Sequence, residues 1–241
     1  MNILLTNDDG FDSTYIVGLA ETLKFLGHKV TIIAPLKNKS AVSHSITLHK
    51  PISVEPKGID VFAVDGTPVD CVYIALNALL EEKPDLVISG INDGPNFGED
   101  IIYSGTIGAA REAYMKGYKS ISISKVYGNE LDISKMFHIT ASLLLKLSMY
   151  PLDKYFFNVN IPDNAKITEA IAFTHLSTRK WEEEVSLLVK QNNHQYYTIG
   201  GYESTMGIEE GSDADIINKG IISVTPLSDN YTYIDFFNKD K

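Results

Sequence analysis

Short apolar runs alternate with amphipathic stretches along the first two thirds of the chain. Residues 3–5 are continuously apolar, which is typical of a strand covered on both faces of a parallel sheet. Residues 13–26 carry apolar side chains at helical spacing and end before Gly27. Residues 29–34 form a second apolar run that stops at Pro35. Strand, helix and strand within about 35 residues predict one right-handed βαβ unit.

The same alternation continues to residue 161. Further strands are predicted at residues 59–64, 84–89, 120–124 and 155–161, and helices at residues 70–80, 104–115 and 133–147. Because β and α elements alternate, we predict an α/β fold with a Rossmann-like, mostly parallel sheet and flanking helices.

The last third of the chain has a different pattern. It predicts strands at residues 170–174, 186–190, 195–199 and 221–227, and a short helix at residues 213–219. The polar residues 191–194 join two of these strands and predict a β-hairpin. A hairpin this remote from the βα core often pairs with another subunit.

Composition and charge narrow the function. The 241 residues suit one large α/β domain or two small ones, and the net charge is -10. This acidity disfavours binding to nucleic-acid polymers, because a protein needs Lys and Arg side chains to bind their phosphate backbones. The single cysteine, Cys71, excludes an intramolecular disulfide and a cysteine-based zinc site. No apolar run approaches ~18 residues and no signal-peptide pattern is present, so we expect no membrane contact and a cytoplasmic location.

Two adjacent acids, Asp8 and Asp9, follow the first predicted strand. Ligands of open α/β sheets bind at the carboxyl ends of the strands. Two neighbouring carboxylates repel each other unless a cation lies between them. A solvated turn or a helix N-cap explains the same residues equally well, so this motif alone leaves both interpretations open.

The ends of two further strands supply more oxygen atoms to the same edge. Ser40 and Ser43 follow the second strand, in a long polar loop at residues 35–48, and Asn92 and Asn96 follow the third parallel strand, residues 84–89. By itself the loop is best explained as a solvated, serine-rich connection. Together with the two acids, these oxygen-only ligands suit Mg²⁺ or Mn²⁺ better than zinc or copper.

A helix beginning with Ser104, Gly105 and Thr106 is expected beside these residues. The free N–H groups of a helix start can bind an anion, although Ser104 also fits a simple helix cap. A metal site next to an anion site indicates metal-assisted hydrolysis of a phosphate ester.

Several segments, in the same order, resemble the signatures of the SurE family of nucleotidases. They are Asn7-Asp8-Asp9-Gly10, residues 35–48, residues 65–71, residues 89–92 with 96–98, Tyr103-Ser104-Gly105-Thr106 and residues 211–227. The resemblance implies a phosphatase with one divalent metal ion, Mg²⁺ or Mn²⁺, per subunit. Its substrates would be nucleoside 5′- and 3′-monophosphates, and the resemblance leaves room for an exopolyphosphatase side activity.

The resemblance also implies an architecture and an assembly. Residues 1–241 would form a single domain, with a Rossmann-like core over residues 1–165. Residues 166–241 would supply a projecting hairpin and C-terminal oligomerisation elements, giving a homodimer or homotetramer. The expected partner is a small-molecule nucleotide, with no nucleic-acid polymer and no membrane.

Carried over by position, the resemblance assigns roles to individual residues. The metal ligands fall on Asp8, Asp9, Ser40 and Asn92, and the catalytic residues on Asp8, Asp9 and Asn92. The phosphate pocket falls on Ser43, Asn96, Ser104, Gly105 and Thr106. As a mechanistic hypothesis, Asp8 accepts a proton from a water that then attacks phosphorus in line, while the cation and the N–H groups of Ser104, Gly105 and Thr106 stabilise the charge.

The sequence departs from the family pattern at positions that leave every metal ligand in place. Ala41 replaces a usual Gly, His44 a usual Asn and Asp93 a usual small residue, and residues 11–14 lack the usual Ala-Pro-Gly. Substrate preference and loop shape therefore stay open.

Three other functions compete with hydrolysis by activated water as explanations of these residues. An aspartyl-phosphate phosphatase needs Asp-x-Asp after the first strand, but Asn7 stands at the first position and cannot be the nucleophile. A non-catalytic nucleotide-binding module would use the same loops without hydrolysis. A dehydrogenase is poorly supported, because no Gly-x-Gly-x-x-Gly follows the first strand.

Overall fold

The central element of the fold is one large mixed β-sheet. The computed structural model describes residues 1–128, 131–147, 149–150, 152, 154–165 and 171–228. Within these residues, the sheet is built from β1 (Asn2–Thr6), β2 (Lys29–Pro35), β3 (Val54–Gly58), β4 (Val61–Val64), β5 (Leu86–Asp93), β6 (Ser120–Lys125), β7 (Phe156–Ile161), β8 (Ile171–Phe173) and β11 (Ile222–Leu227). Its order is β3-β4-β2-β1-β5-β6-β7-β11-β8.

The strand order creates a switch point beside β1. From β1 the chain first adds β2 and β4 on one side, and β5, β6 and β7 are then added on the other, all in parallel. The antiparallel pairs are β3 with β4 and β11 with β7. Ligand crevices of such sheets open where the order reverses, which here is between the carboxyl ends of β1 and β5.

Helices cover both faces of the sheet. They are α1 (Thr14–Phe25), α2 (Pro68–Ile74), α3 (Asp100–Tyr103), α4 (Gly105–Met115), α5 (Ile133–Leu147) and α6 (Asp213–Asn218). In β1, Ile3 and Leu5 pack in one core with residues of α1 and α5, whereas Leu4 packs in a second core with residues of α2 and α4. Burial on both faces explains why β1 is continuously apolar, and it confirms the predicted α/β architecture.

A second sheet consists of the hairpin β9 (Thr178–Gln191) and β10 (His194–Gly207). Asn192 and Asn193 have φ values of 48° and 60°, as a two-residue hairpin turn requires, and the predicted hairpin is confirmed. Each strand has 14 residues and is longer than the sequence predicted. Most side chains between residues 185 and 200 are exposed.

Some element boundaries differ from the prediction. The edge strand β3 was not predicted, because Pro56 and its charged neighbours disfavour a strand, but an edge strand tolerates proline. The predicted strand at 84–89 continues to Asp93 with a register shift between Ser89 and Asn92, so Asn92 belongs to β5. The predicted helix at 70–80 begins earlier, at Pro68, and its last turn is a π-helix over Ala75–Leu79.

Part of the predicted C-terminal region, residues 166–170 and 229–241, lies outside the described residues. Across the part of the chain that is described, no helix combines the length and the apolar character needed to cross a membrane.

Candidate active site

A cleft of about 250 Å³ opens at the switch point of the sheet. Six residues predicted for the site line it together: Asp8, Asp9, Ser40, Asn92, Asn96 and Ser104. They come from the ends of β1 and β5, the loop after β2 and the residue before α4. The sheet topology therefore brings distant parts of the sequence to one place, as the argument from strand ends predicted.

The turn after β1 is shaped by Asn7. Its side chain donates to the Gly10 carbonyl over 2.8 Å and accepts from the Gly10 N–H over 3.1 Å. Gly10 has a φ of 115°, which favours glycine. The Asn7 side chain is thus used within the turn.

Asp8, which follows β1, is a buried carboxylate that lies against the first turn of helix α4. The Thr106 hydroxyl donates a hydrogen bond to its Oδ1 over 2.8 Å. Burial raises the pKa of Asp8 to about 6, the Thr106 hydrogen bond opposes this rise, and the neighbouring charge of Asp9 adds to it. Because Asp8 is buried and α1 is preceded by Ser13, neither a solvated turn nor a helix cap explains it.

Asp9 is less buried than Asp8, and one of its two carboxylate oxygens has no hydrogen-bond partner among the described residues. Its Oδ1 accepts from Asn38 Nδ2 over 3.3 Å. Burial raises the pKa of Asp9, although a hydrogen bond from the Asp93 backbone opposes the rise. Its Oδ2 is buried and has no hydrogen-bond partner among the described residues. Such an orphaned acceptor is expected where a cation binds.

Asn38 lies in the loop at residues 35–48, here called the serine loop, and links that loop to Asp9. Residue types and spacing did not predict this role. Its Oδ1 accepts from the Ser40 N–H over 3.0 Å and from the Ser40 hydroxyl over 2.7 Å, while its Nδ2 bonds Asp9. The Lys39 N–H donates to the Asp8 carbonyl over 2.7 Å. These bonds fix Ser40 beside both acids.

The two asparagines on the β5 side are also fixed by hydrogen bonds. Asn92 Nδ2 donates to the Gly94 carbonyl over 2.8 Å, which leaves its Oδ1 available to a ligand. Asn96 is buried, and its Nδ2 donates to Ser124 Oγ over 2.7 Å. The Asn96 N–H donates to Asn160 Oδ1 over 2.9 Å.

The start of α4 lies against the carboxylates. Ser104 caps the helix by accepting from the Ile107 N–H over 3.1 Å, and it also lines the cleft. A Cβ on Gly105 would lie 3.3 Å from the Cβ of Asp8, so the missing side chain permits this close approach. Gly105 and Thr106 therefore lie behind the lining of the cleft.

Ser43, predicted for the phosphate pocket, is placed differently. Its hydroxyl donates to the Ile102 carbonyl and its N–H to the Tyr103 carbonyl, over 2.8 Å for the latter. It does not line the cleft. Instead it fastens the serine loop to α3.

The three single-residue departures from the family pattern have distinct structural settings. Asp93 pairs with Lys125 over 2.9 Å, and His44 Nε2 contacts Glu112 over 2.9 Å. Ala41 has a φ of 55°, in the left-handed region where glycine is favoured. Asp93 and His44 each gain a charged or ionisable partner, whereas Ala41 carries backbone strain.

The cleft is strongly acidic. Four carboxylates line it, those of Asp8, Asp9, Asp93 and Asp100, and no described lining residue is a Lys or Arg. Phosphate would be repelled from such a surface without a cation. No described group of three or more Asp, Glu, His or Cys side chains is arranged to hold a metal. Two carboxylates with neutral Ser and Asn oxygens still fit a hard cation such as Mg²⁺, which keeps several waters.

The fold and the cleft define an α/β protein with an acidic, oxygen-rich ligand site at the switch point of a parallel sheet. The family model described as Survival protein SurE matches residues 3–183. The chain belongs to the SurE family, as the sequence motifs indicated.

Named relatives agree with this assignment over nearly the whole chain. The 5'-nucleotidase SurE of Geobacter sulfurreducens is 40% identical over 233 residues, covering 94% of this chain and 87% of that protein. The 5'-nucleotidase SurE of Thermoanaerobacter sp. strain X514 is 38% identical over 243 residues, covering 99% and 96%. The crystal structure of the SurE protein from Aquifex aeolicus matches with a TM-score of 0.81 and 36% identity, covering 96% of this chain and 95% of that one.

Proposed function

We propose that this protein is a divalent-metal-dependent nucleotidase that hydrolyses nucleoside 5′- and 3′-monophosphates to nucleoside and phosphate. Relatives with 38% to 40% identity are named as 5'-nucleotidases, which supports the reaction class. The observation that carries the metal dependence is the lining of the cleft by four carboxylates, one of which, Asp93, pairs with Lys125, with no Lys or Arg among the described lining residues. An anionic substrate needs a cation to enter such a cleft.

Asp8, Asp9, Ser40 and Asn92 would hold one Mg²⁺ or Mn²⁺ ion. When bound, this ion supplies positive charge that polarises a phosphoryl oxygen. The orphaned Oδ2 of Asp9 and the ligand-ready Oδ1 of Asn92 support this donor set.

Asp8 is the proposed general base. It accepts a proton from the water that attacks phosphorus in line. Asn96 and Ser104, which also line the cleft, orient the phosphate. The N-terminus of α4 adds partial positive charge where negative charge develops.

Two tyrosines are proposed to contact the nucleoside. Tyr103 and Tyr127 line the same cleft as the carboxylates and are 64% and 69% exposed. Exposed aromatic rings beside a phosphate site offer a stacking surface for a base. Because stacking tolerates every base, this contact accounts for binding of nucleotides as a class.

The exposed hairpin is the proposed contact between subunits of a homodimer or homotetramer. Its exposed apolar side chains include Val185, Leu188 and Ile199. Apolar surface of this kind is typical of an interaction site. We also propose a cytoplasmic location and, as a side activity, hydrolysis of polyphosphate ends.

Phosphate release tests the proposal. Metal-stripped protein should release phosphate from a nucleoside 5′-monophosphate only after Mn²⁺ or Mg²⁺ is added, and a chelator should stop it. Asp8→Asn should abolish turnover, whereas Asp12→Asn, an exposed acid in the next loop, should retain it. Full turnover in the chelator, or in Asp8→Asn, would contradict the proposal.

A further inference from the structure

A buried carboxylate that does not line the cleft joins three segments of the chain. Asp213, at the start of α6, is 0% exposed. Its Oδ2 accepts from the Gly98 N–H over 3.0 Å, and its Oδ1 accepts from the Ser177 N–H and the Ala214 N–H, each over 2.8 Å. A carboxylate satisfied by backbone N–H groups stabilises the segments that supply them.

Two of these segments belong to different parts of the structure, the cleft and the hairpin. Gly98 lies two residues after Asn96, in the loop that contributes Pro95 and Asn96 to the cleft. Ser177 immediately precedes β9, the first strand of the hairpin. The two backbones are in close contact, because a Cβ on Gly98 would lie 2.2 Å from the Ser177 carbonyl oxygen.

The same loop is held from its other side by the sheet. Asn158 Nδ2 and Asn160 Nδ2 both donate to the Asn96 carbonyl, over 2.8 and 3.1 Å. The backbone of Asn96 thus lies between β7 and the contact with Asp213. Loss of the Asp213 contact would leave the loop fastened on one side only.

We propose that Asp213 is a positioning residue for the cleft. It fixes the position of Asn96 by linking the loop at residues 94–98 to Ser177 at the base of the hairpin, so that the hairpin and the cleft move together. The kinetic consequence rests on the proposed function, but the structural consequence does not.

Asp213→Asn tests this role, because one carboxylate oxygen becomes an NH₂ group that faces a backbone N–H. Asp215→Asn is the matched control on the same helix, since Asp215 accepts from Gly211 and Lys219 instead. In Asp213→Asn we expect faster amide hydrogen exchange over residues 94–98 than in the wild type or Asp215→Asn. With Mn²⁺ present, we expect kcat/KM to fall about 10- to 100-fold, mainly through KM, while Mn²⁺ affinity stays unchanged.

Gly98→Ala provides a second test that leaves the carboxylate intact. The added Cβ would push the loop away from Ser177, and the φ of 47° at Gly98 adds strain. We expect the same rise in hydrogen exchange and the same KM-dominated loss. Folded Asp213→Asn and Gly98→Ala proteins that match Asp215→Asn in exchange and kinetics would overturn the proposal. Absence of turnover in wild-type protein would overturn the proposed function alone, because the exchange measurement does not need substrate.

Discussion

The Thr106 hydroxyl lies 2.8 Å from Asp8 Oδ1 and donates a hydrogen bond to it. This bond joins the first turn of α4 to the end of β1, across 98 residues of sequence. It stabilises the charged form of a carboxylate that burial would otherwise keep protonated. The proposed base and the proposed anion site at the start of α4 are therefore parts of one structural unit.

Thr106→Val should make metal binding more sensitive to acid. Removing the hydroxyl removes a hydrogen bond to the carboxylate, so the pKa of Asp8 should rise by about one unit. Protons compete with a cation for Asp8, and the pH at which Mn²⁺ affinity is half lost should rise equally. Isothermal titration of Mn²⁺ between pH 5 and 8 measures this midpoint. Thr106→Ser keeps the hydroxyl and should behave like wild type; a Thr106→Val midpoint at the wild-type pH would refute the role.

Asp8→Asn should stabilise the metal-free protein at neutral pH. The folded-state pKa of Asp8 is raised from 3.8 to about 6, so the folded chain binds a proton more tightly than the unfolded chain. Its contribution to stability is full below pH 4 and is lost as the pH rises through about 6. Since one pKa unit corresponds to about 1.4 kcal/mol, the loss amounts to about 3 kcal/mol.

Denaturant unfolding in the presence of a chelator measures this effect. At pH 7.5 the free energy of unfolding of Asp8→Asn should exceed that of wild type by up to about 3 kcal/mol, and the difference should vanish near pH 4. Asp12→Asn is the control at an exposed acid and should change little. A variant that is less stable than wild type at pH 7.5 would show that Asp8 is not strained by burial.

Ala41→Gly should stabilise the serine loop. Ala41 has a φ of 55°, and an L-residue there costs about 1 kcal/mol that glycine avoids. We expect a gain of up to about 1 kcal/mol in the free energy of unfolding, less the entropy of a more flexible unfolded chain. Ala78→Gly, at an exposed position in the π-helical turn where φ is not positive, should instead lose about 0.5 to 1 kcal/mol. Equal losses at both positions would contradict this account.

The sequence was sufficient for the features that depend on periodicity and strand ends. The continuous apolar run of β1 predicted a strand buried on both faces, and Asp8 and Asp9 follow it directly. The alternation of elements then placed Ser40 and Asn92 at the same edge. These predictions succeeded because the carboxyl ends of parallel strands all lie at one edge of the sheet, and β1, β2 and β5 are neighbours in it.

Features that depend on the path of a loop were not predictable from residue types. Asn38 contacts Asp9 only because the serine loop folds back, and no spacing signals this. A positive φ at Ser43 turns this residue towards Ile102, and the residue type serine does not predict a positive φ. The contact of Asp213 with Gly98 spans 115 residues of sequence and uses the backbone N–H of Gly98. The pattern of side chains in the sequence therefore does not predict it.

Manganese binding tests the central claim most directly. A crystal of the wild-type protein grown with Mn²⁺ should show one anomalous peak per chain in the cleft. The ion should lie roughly 2 to 2.5 Å from oxygen atoms of Asp8, Asp9 and Asn92, as hard cations do in oxygen sites, with Ser40 beside it. A cleft without the peak at saturating Mn²⁺, with the two carboxylates turned away from each other, would contradict the account.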